Sequence, residues 1–320
     1  MLRTHAKLYF AAMLMLVAFS APLTAQKNNK DQANTGNLPE VMWRDPGDVA
    51  SLNLLYGAGG QAHAPDPNGK FTFVKEDTAG TSPKFEIKDE QGVEWKVKLG
   101  QEPQSETAAT RLLWAAGYFV DEDYYLAELK VAGMPKLRRG SNFVSADGTV
   151  HRARLERKLP EVKKVGEWAW FDNPFVNKQE WNGLRIMMSL LNNWDLKTIN
   201  NSIYEVNGER RYVVTDVGAT LGNTGGVFSR SKSKPDEYAK SQFIGRAEPG
   251  FVDFVLHGNG EFEKVTKHIP RADVKWLAQR LSQLSEEQIR DCFRAGGYTP
   301  EEVTVYTQAV QKRIAEMSAL

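Results

Sequence analysis

A turn constrains this chain more than any other local feature. Asn207-Gly208 stands between two β-like runs, 202–206 and 210–215. Asn and Gly accept the positive φ values that a two-residue hairpin demands, and the flanking runs supply the strands. A hairpin returns the chain to where it entered. Asn200, just before the ribbon, and Asp216, just after it, are therefore expected at the same end.

What precedes the hairpin is equally readable. Residues 181–192 carry Leu184, Met187, Met188 and Leu191 on one helical stripe. The polar loop 192–201 follows, with Asp195, Lys197 and Asn200. Beyond Asp216-Val-Gly218, residues 218–250 are rich in Gly, Ser and Lys and show no periodicity, as in a functional loop. The remainder reads as helix, with capping boxes at Ser285…Gln288 and at Thr299-Pro300-Glu-Glu302.

The first half is sheet-like. Residues 71–74, 84–88 and 93–99 form an expected three-stranded meander. In the last run Val93, Trp95, Val97 and Leu99 share one face, and Glu94, Lys96 and Lys98 the other. A helix begins near Gln104, with Glu106, Ala109, Leu113 and Ala116 on its inward stripe and Gly117 as its stop. Residues 118–180 give less, beyond a strand at 151–157. Gly57-Ala-Gly-Gly-Gln-Ala62 has dinucleotide-fingerprint spacing but runs into Pro65 and Pro67 instead of a helix, so that reading is rejected.

The N-terminus reads as an export signal over 1–25. Arg3, His5 and Lys7 precede an apolar run ending at Phe19, and small residues follow at Ser20, Ala21 and Ala25. The chain is then expected in the periplasm or outside the cell, without a stable transmembrane anchor. Residues 26–69 read as flexible leader and linker. With 41 basic against 40 acidic residues, bulk charge offers nothing to nucleic acid. Cys292 stands alone, so no internal disulfide forms. The five histidines show no metal-ligand spacing. Trp168, Trp170 and Phe171 are expected in packing, with a carbohydrate platform as the alternative.

The order of these elements carries the functional signal. Asp195-Leu-Lys197-Thr-Ile-Asn200 resembles the catalytic loop of protein kinases, and Asp216-Val-Gly218 resembles the Asp-Phe-Gly that follows one hairpin later. The resemblance extends over about residues 70–300. It is nearer to atypical relatives: HipA-type, CotH-type, secretory-pathway and phosphatidylinositol kinases. It implies an α+β, two-lobed protein-kinase-like fold, with a small antiparallel-sheet N-lobe at 70–160 and a mostly helical C-lobe at 161–320.

It also implies ATP or another nucleotide and Mg²⁺ as cofactors. The acceptor would be an unidentified hydroxyl on a secreted or envelope protein, glycan or lipid. By the same resemblance Asp195 would orient that hydroxyl and Lys197 would reach the phosphate in transfer. Asn200 and Asp216 would ligate Mg²⁺. Lys98, or Lys96 on the same face, would meet the α/β-phosphates and be held by Glu106. Gly80, Thr81 and Ser82, between the first two strands, would cover phosphates.

The pattern is not complete. Asn193-Trp194 replaces His-Arg, Val217 replaces Phe, and no Ala-Pro-Glu follows. A competing expectation is a catalytically inactive kinase-fold binding or scaffold protein of the cell envelope.

Overall fold

The computed structural model describes residues 38–225, 229–257 and 260–320. The export signal at 1–25 and the leader at 26–37 lie outside the described residues. In chain order the elements are β1 (Glu40–Val41), β2 (Phe71–Asp77), β3 (Lys84–Asp89), β4 (Glu94–Lys98), α1 (Glu102–Ala115), β5 (Asp123–Ala132), β6 (Thr149–Arg157) and β7 (Lys163–Gly166). Then follow α2 (Gln179–Leu190), β8 (Asn201–Val206), β9 (Glu209–Val214), α3 (Pro235–Lys240), β10 (Ile244–Ala247), β11 (Phe251–Phe254), β12 (Ile269–Pro270), α4 (Arg271–Leu281), α5 (Glu286–Ala295) and α6 (Pro300–Ser318).

The expected meander is present as β2, β3 and β4, but it does not stop there. β6 adds antiparallel to β4, β5 to β6, and β5 closes parallel onto β2 through Phe71 and Val131, giving a five-stranded barrel. Alternation explains its core. Phe85, Ile87, Trp95, Val97, Val150 and Leu155 point inward, essentially without solvent exposure, while Lys96 and Lys98 point out. A second core, built by α1, α2 and α4 to α6, fills the other half of the molecule. The architecture is α+β with two cores, a sheet-rich N-terminal half followed by a part dominated by helices.

Two expectations are corrected. Residues 38–69, read as linker, are folded. Met42, Val49 and Leu54 are buried in the helical core, and β1 pairs parallel with β9. The Gln288 side-chain amide donates to the carbonyls of Val49 (2.7 Å) and Leu52 (3.1 Å), so this segment's backbone is tied to α5. The aperiodic loop 218–250 contains α3 and β10, and β10–β11–β12 make a small sheet where helix alone was expected. Packing, the expected role, is what Trp168 and Trp170 do: they are only 2% and 1% exposed, lie edge-to-face and donate to Val213 and Leu196 carbonyls. They are core residues and offer no face to a sugar.

Both capping boxes form, with each cap hydroxyl receiving the backbone N–H three residues on. Cys292 is fully buried, and burial pushes its thiol up, away from reactivity. Among the described residues no helix is long and apolar enough to cross a membrane.

Candidate active site

The site is built where the last residue of β4 meets α1 and the chain leaving β9. After Lys98 the backbone turns through Gly100, and α1 starts with Pro103 in its first turn. Glu102 and Glu106, one helical turn apart, therefore face the strand end together. The Lys98 ammonium lies 2.6 Å from Glu102 Oε2, 2.9 Å from Glu106 Oε2 and 3.1 Å from Asp216 Oδ1.

Lys98 is thus the lysine that the sheet delivers. Lys96 also points out of the barrel but pairs with Glu156 at 2.7 Å, opposite it across the β4–β6 ladder. Sequence left the two lysines as alternatives, and only Lys98 meets Glu106 and Asp216.

The loop before the hairpin is fixed by short-range hydrogen bonds. α2 ends at Leu190, and Asn192 takes φ 54°, a conformation that asparagine tolerates. The buried Arg313 guanidinium donates to the carbonyls of Ser189 (3.1 Å) and Leu190 (2.8 Å) and to Asn192 Oδ1 (3.1 Å), closing the helix end from α6. Asn193 Oδ1 receives the Asp195 amide, and Trp170 Nε1 pins the Leu196 carbonyl. Asn200 Nδ2 donates to the Asp195 carbonyl at 2.8 Å, which turns the amide so that Oδ1 is the atom left to accept. Lys197 Nζ lies 2.9 Å from Asp195 Oδ1, with its side chain 64% exposed.

The hairpin then does what its turn dictates. Asn201 pairs with Val214, and the amides of Thr215 and Asp216 both approach the Asn200 carbonyl, at 2.8 and 3.4 Å. Asn200 and Asp216 are neighbours, and the Asp216 carboxylate faces the lysine of the sheet. Gly218 is required at the next bend, because a Cβ there would sit 2.7 Å from that of Glu102.

Among Gly80, Thr81 and Ser82, only Ser82 contacts the cluster, its hydroxyl donating to Glu102 Oε2 at 3.0 Å. Gly80 takes φ 67° and its carbonyl receives Arg139, on the other side of the turn.

Charge is concentrated here. Burial works to discharge Lys98, but Glu106, Asp216 and Glu102 outweigh it and hold the ammonium more firmly protonated than usual. Burial raises Glu106 to about 7, against the pull of Arg154 and Lys98. Burial acts on Glu102 as well, yet Lys98 and Lys232 bring it down to about 2. Arg154, 4% exposed, extends the cluster inward, at 2.7 Å from Asp123, 3.1 Å from Glu156 and 3.8 Å from Glu106. Arg111 completes it on Asp123 at 2.7 Å.

Glu102, Glu106 and Asp216 bring their oxygens within 4.8 Å of one another. The buried Glu106 Oε2 is met by the Lys98 ammonium alone, at 2.9 Å. The Asp216 side chain is 44% exposed, so it is open to an incoming cation. The Lys98 ammonium already fills the centre of that trio. The oxygens that suit a hard divalent ion such as Mg²⁺ are those of the half-exposed Asp216 carboxylate and the neighbouring Asn200 amide.

Beside this cluster a cavity of about 610 Å³ runs between the barrel and the β8–β9 face, lined by Lys96, Asp121, Glu156, Leu159, Tyr204 and Val213 among others. Neither Lys98 nor Asp216 lines it. It adjoins the acidic cluster through Lys96, two residues from Lys98 on the same strand face. Burial, then Glu156, pushes Asp121 in its wall up to about 7.

Glu102, Lys232, Arg154 and Glu156 escaped the sequence reading. Glu102 had a usable signal, standing four residues after Lys98 and four before Glu106. Lys232, whose ammonium is 2.5 Å from Glu102 Oε1, had none, because it sits in an aperiodic loop.

The element order and the meeting of Lys98, Glu106, Asn200 and Asp216 make the arrangement protein-kinase-like. No family model matches the chain, and no curated protein sequence matches it. Among solved structures, the Helicobacter pylori proinflammatory kinase CtkA is similar at a TM-score of 0.48 and 12% identity, over 79% of this chain and 97% of that one. The Golgi casein kinase with Mn/ADP bound is similar at a TM-score of 0.44 and 9% identity, over 79% of this chain and 73% of that one. A further structure of the Golgi casein kinase gives the same score and identity over 80% of this chain. At this distance nothing about donor, acceptor or activity passes from those proteins to this one.

Proposed function

We propose that this chain is an exported, Mg-dependent phosphotransferase that moves the terminal phosphoryl group of a nucleotide to an acceptor hydroxyl. One observation carries the reading. The Lys98 ammonium contacts Glu102, Glu106 and Asp216 at once, while Asp216 abuts Asn200 across a hairpin.

Phosphoryl transfer needs positioning and charge neutralisation more than covalent help. The cavity has a size suited to the nucleoside end of a nucleotide, within the usual range for ligand sites. Phosphates leading from it would meet Lys98. Asp216 and Asn200 Oδ1 are the groups that would hold Mg²⁺, which when bound would neutralise phosphate charge. Asp195 would take the acceptor hydroxyl's proton as the new O–P bond forms and the bond to the leaving nucleoside diphosphate breaks. Lys197, flexible and exposed, is the cation for the group in flight. The acceptor would be a protein, glycan or lipid outside the cytoplasm, consistent with the Arg3-to-Ala25 signal pattern.

The test is an acceptor screen with mass detection, including autophosphorylation, run with Mg²⁺ and ATP. Asp195→Ala should lower transfer by about 10²–10⁴-fold, the usual contribution of a general base, while leaving nucleotide affinity within about twofold of wild type. Asp216→Ala should abolish Mg-dependent nucleotide binding itself. Full transfer by Asp195→Ala would remove its assigned role, and wild-type protein that binds no nucleotide would leave a binding module on this fold as the better account.

A further inference from the structure

Lys232 belongs to the stretch without sequence periodicity, yet its surroundings are well defined. Its ammonium lies 2.5 Å from Glu102 Oε1, on the opposite carboxylate oxygen from the one that Lys98 meets at 2.6 Å. It also lies 5.8 Å from the centre of the Trp194 ring, next in sequence to Asp195. Trp194 Nε1 donates to the carbonyl of Ser231 at 3.1 Å. The backbone amides of Ser233 and Lys234 bind the carbonyls of Thr220 (2.9 Å) and Leu221 (2.8 Å), and the Ser233 hydroxyl meets the Tyr298 hydroxyl at 2.7 Å. Lys232 is therefore carried on an anchored strap between the Asp195 loop and the first turn of α1.

One carboxylate thus holds two ammonium groups. Lys98 keeps Glu106 and Asp216 as further partners. Lys232 has Glu102 as its only ion-pair partner among the described residues, and 28% of its side chain is exposed. A terminal phosphate entering beside Lys98 would bring more negative charge than a shared carboxylate, and several strong acceptor oxygens. The lysine stem is long and flexible enough to turn from one to the other.

We propose that Lys232 is a second cation for the terminal phosphate of the donor nucleotide, held on Glu102 until that phosphate arrives. The inference rests on the phosphotransferase reading and deepens it. Lys98 would approach the phosphates from the sheet, Lys197 from the Asp195 loop, and Lys232 from the strap. Because the strap is bonded to Trp194, filling the terminal-phosphate position would also fix the surface beside Asp195 where an acceptor must sit.

The experiment is calorimetric titration of the full chain with AMP, ADP and ATP in Mg²⁺, comparing wild type, Lys232→Met and Lys232→Arg, with melting curves to verify folding. Losing one charged contact to the terminal phosphate should weaken ATP about tenfold in Lys232→Met. AMP and ADP should change by less than about twofold, and Lys232→Arg should restore most of the loss. An ATP affinity unchanged in Lys232→Met would overturn the inference alone. An equal loss for all three nucleotides would also overturn it, marking Lys232 as a brace acting through Glu102. Wild-type protein that binds none of the three would bring down the phosphotransferase reading and this inference with it.

Discussion

Replacing Lys98 with methionine tests the electrostatics of the site with a nearly isosteric side chain. The lysine side chain is 8% exposed and meets three carboxylates, of which Glu106 is 2% exposed. Removing one partner of a buried ion pair costs about 3–5 kcal/mol, because the other charge is left uncompensated. For a domain of this size that is a fall in Tm of about 5–8 °C.

The loss should depend on pH, and its sign follows from Glu106. In the wild type its folded pKa stands at about 7, above the ordinary 4.5, so the folded state holds an extra proton between those values. That proton's contribution is present at low pH and is lost as pH rises, the loss ending near pH 7 when Glu106 ionises beside Lys98. Without the ammonium Glu106 must stay protonated to higher pH, and the decline continues at up to about 1.4 kcal/mol per pH unit.

Glu102 acts at the other end of the scale. Its folded value of about 2 stabilises the wild type above its ordinary range, a gain that the Lys98→Met protein keeps only in the part due to Lys232 and that vanishes on acidification. Urea melts of both proteins at pH 4.5, 6, 7 and 8.5 provide the assay. The stability difference should be smallest at pH 4.5 and largest at pH 8.5, and Glu106→Gln added to Lys98→Met should recover part of the high-pH loss. A difference independent of pH, or a Lys98→Met protein as stable as wild type at pH 8.5, would show that Lys98 does not neutralise Glu106 in the folded state.

Two other perturbations probe how the site is held. Gly218→Ala should push Glu102 off Lys98, since a Cβ would lie 2.7 Å from that of Glu102, costing about 1–3 kcal/mol and weakening nucleotide binding together. Melting and titration on one preparation would verify both, and a variant that melts and binds as wild type would contradict the packing. Arg313→Met leaves Asn192 Oδ1 without its donor, while the carbonyls of Ser189 and Leu190 keep the Asn192 amide and the Tyr238 hydroxyl, and should cost about 1–3 kcal/mol by chemical denaturation. Hydrogen exchange should rise first at residues 190–196, and uniform change across the chain would argue against a local role.

The parts of this molecule written in nearest neighbours could be read from the chain, and the parts written across it could not. Alternation around Trp95 and Val97 identified β4 and put Lys98 outside the barrel. Asn207-Gly208 gave the hairpin and hence the meeting of Asn200 with Asp216. Closure of the barrel depends on Phe71 meeting Val131, and the folding of 38–69 depends on Gln288, some 239 positions from Val49. No local pattern encodes such pairings. The charge cluster divides in the same way. Glu106 was found from helical spacing, whereas Arg154 entered through β-ladder register with Lys98, and Lys232 through a loop that returns to α1 from 130 residues away. The apolar aromatic pair Trp168 and Trp170 was read correctly as packing because burial, not display, is the usual fate of such side chains.

On the proposed reading, Asn200 and Asp216 converge on one divalent cation facing Lys98. Crystals grown with Mn²⁺ and a non-hydrolysable nucleotide test this directly through the metal's anomalous scattering. A peak is expected at about 2.1 Å from an Asp216 carboxylate oxygen and from Asn200 Oδ1, with phosphate density against Lys98. A peak bound elsewhere, or nucleotide density with no metal between those two side chains, would contradict it.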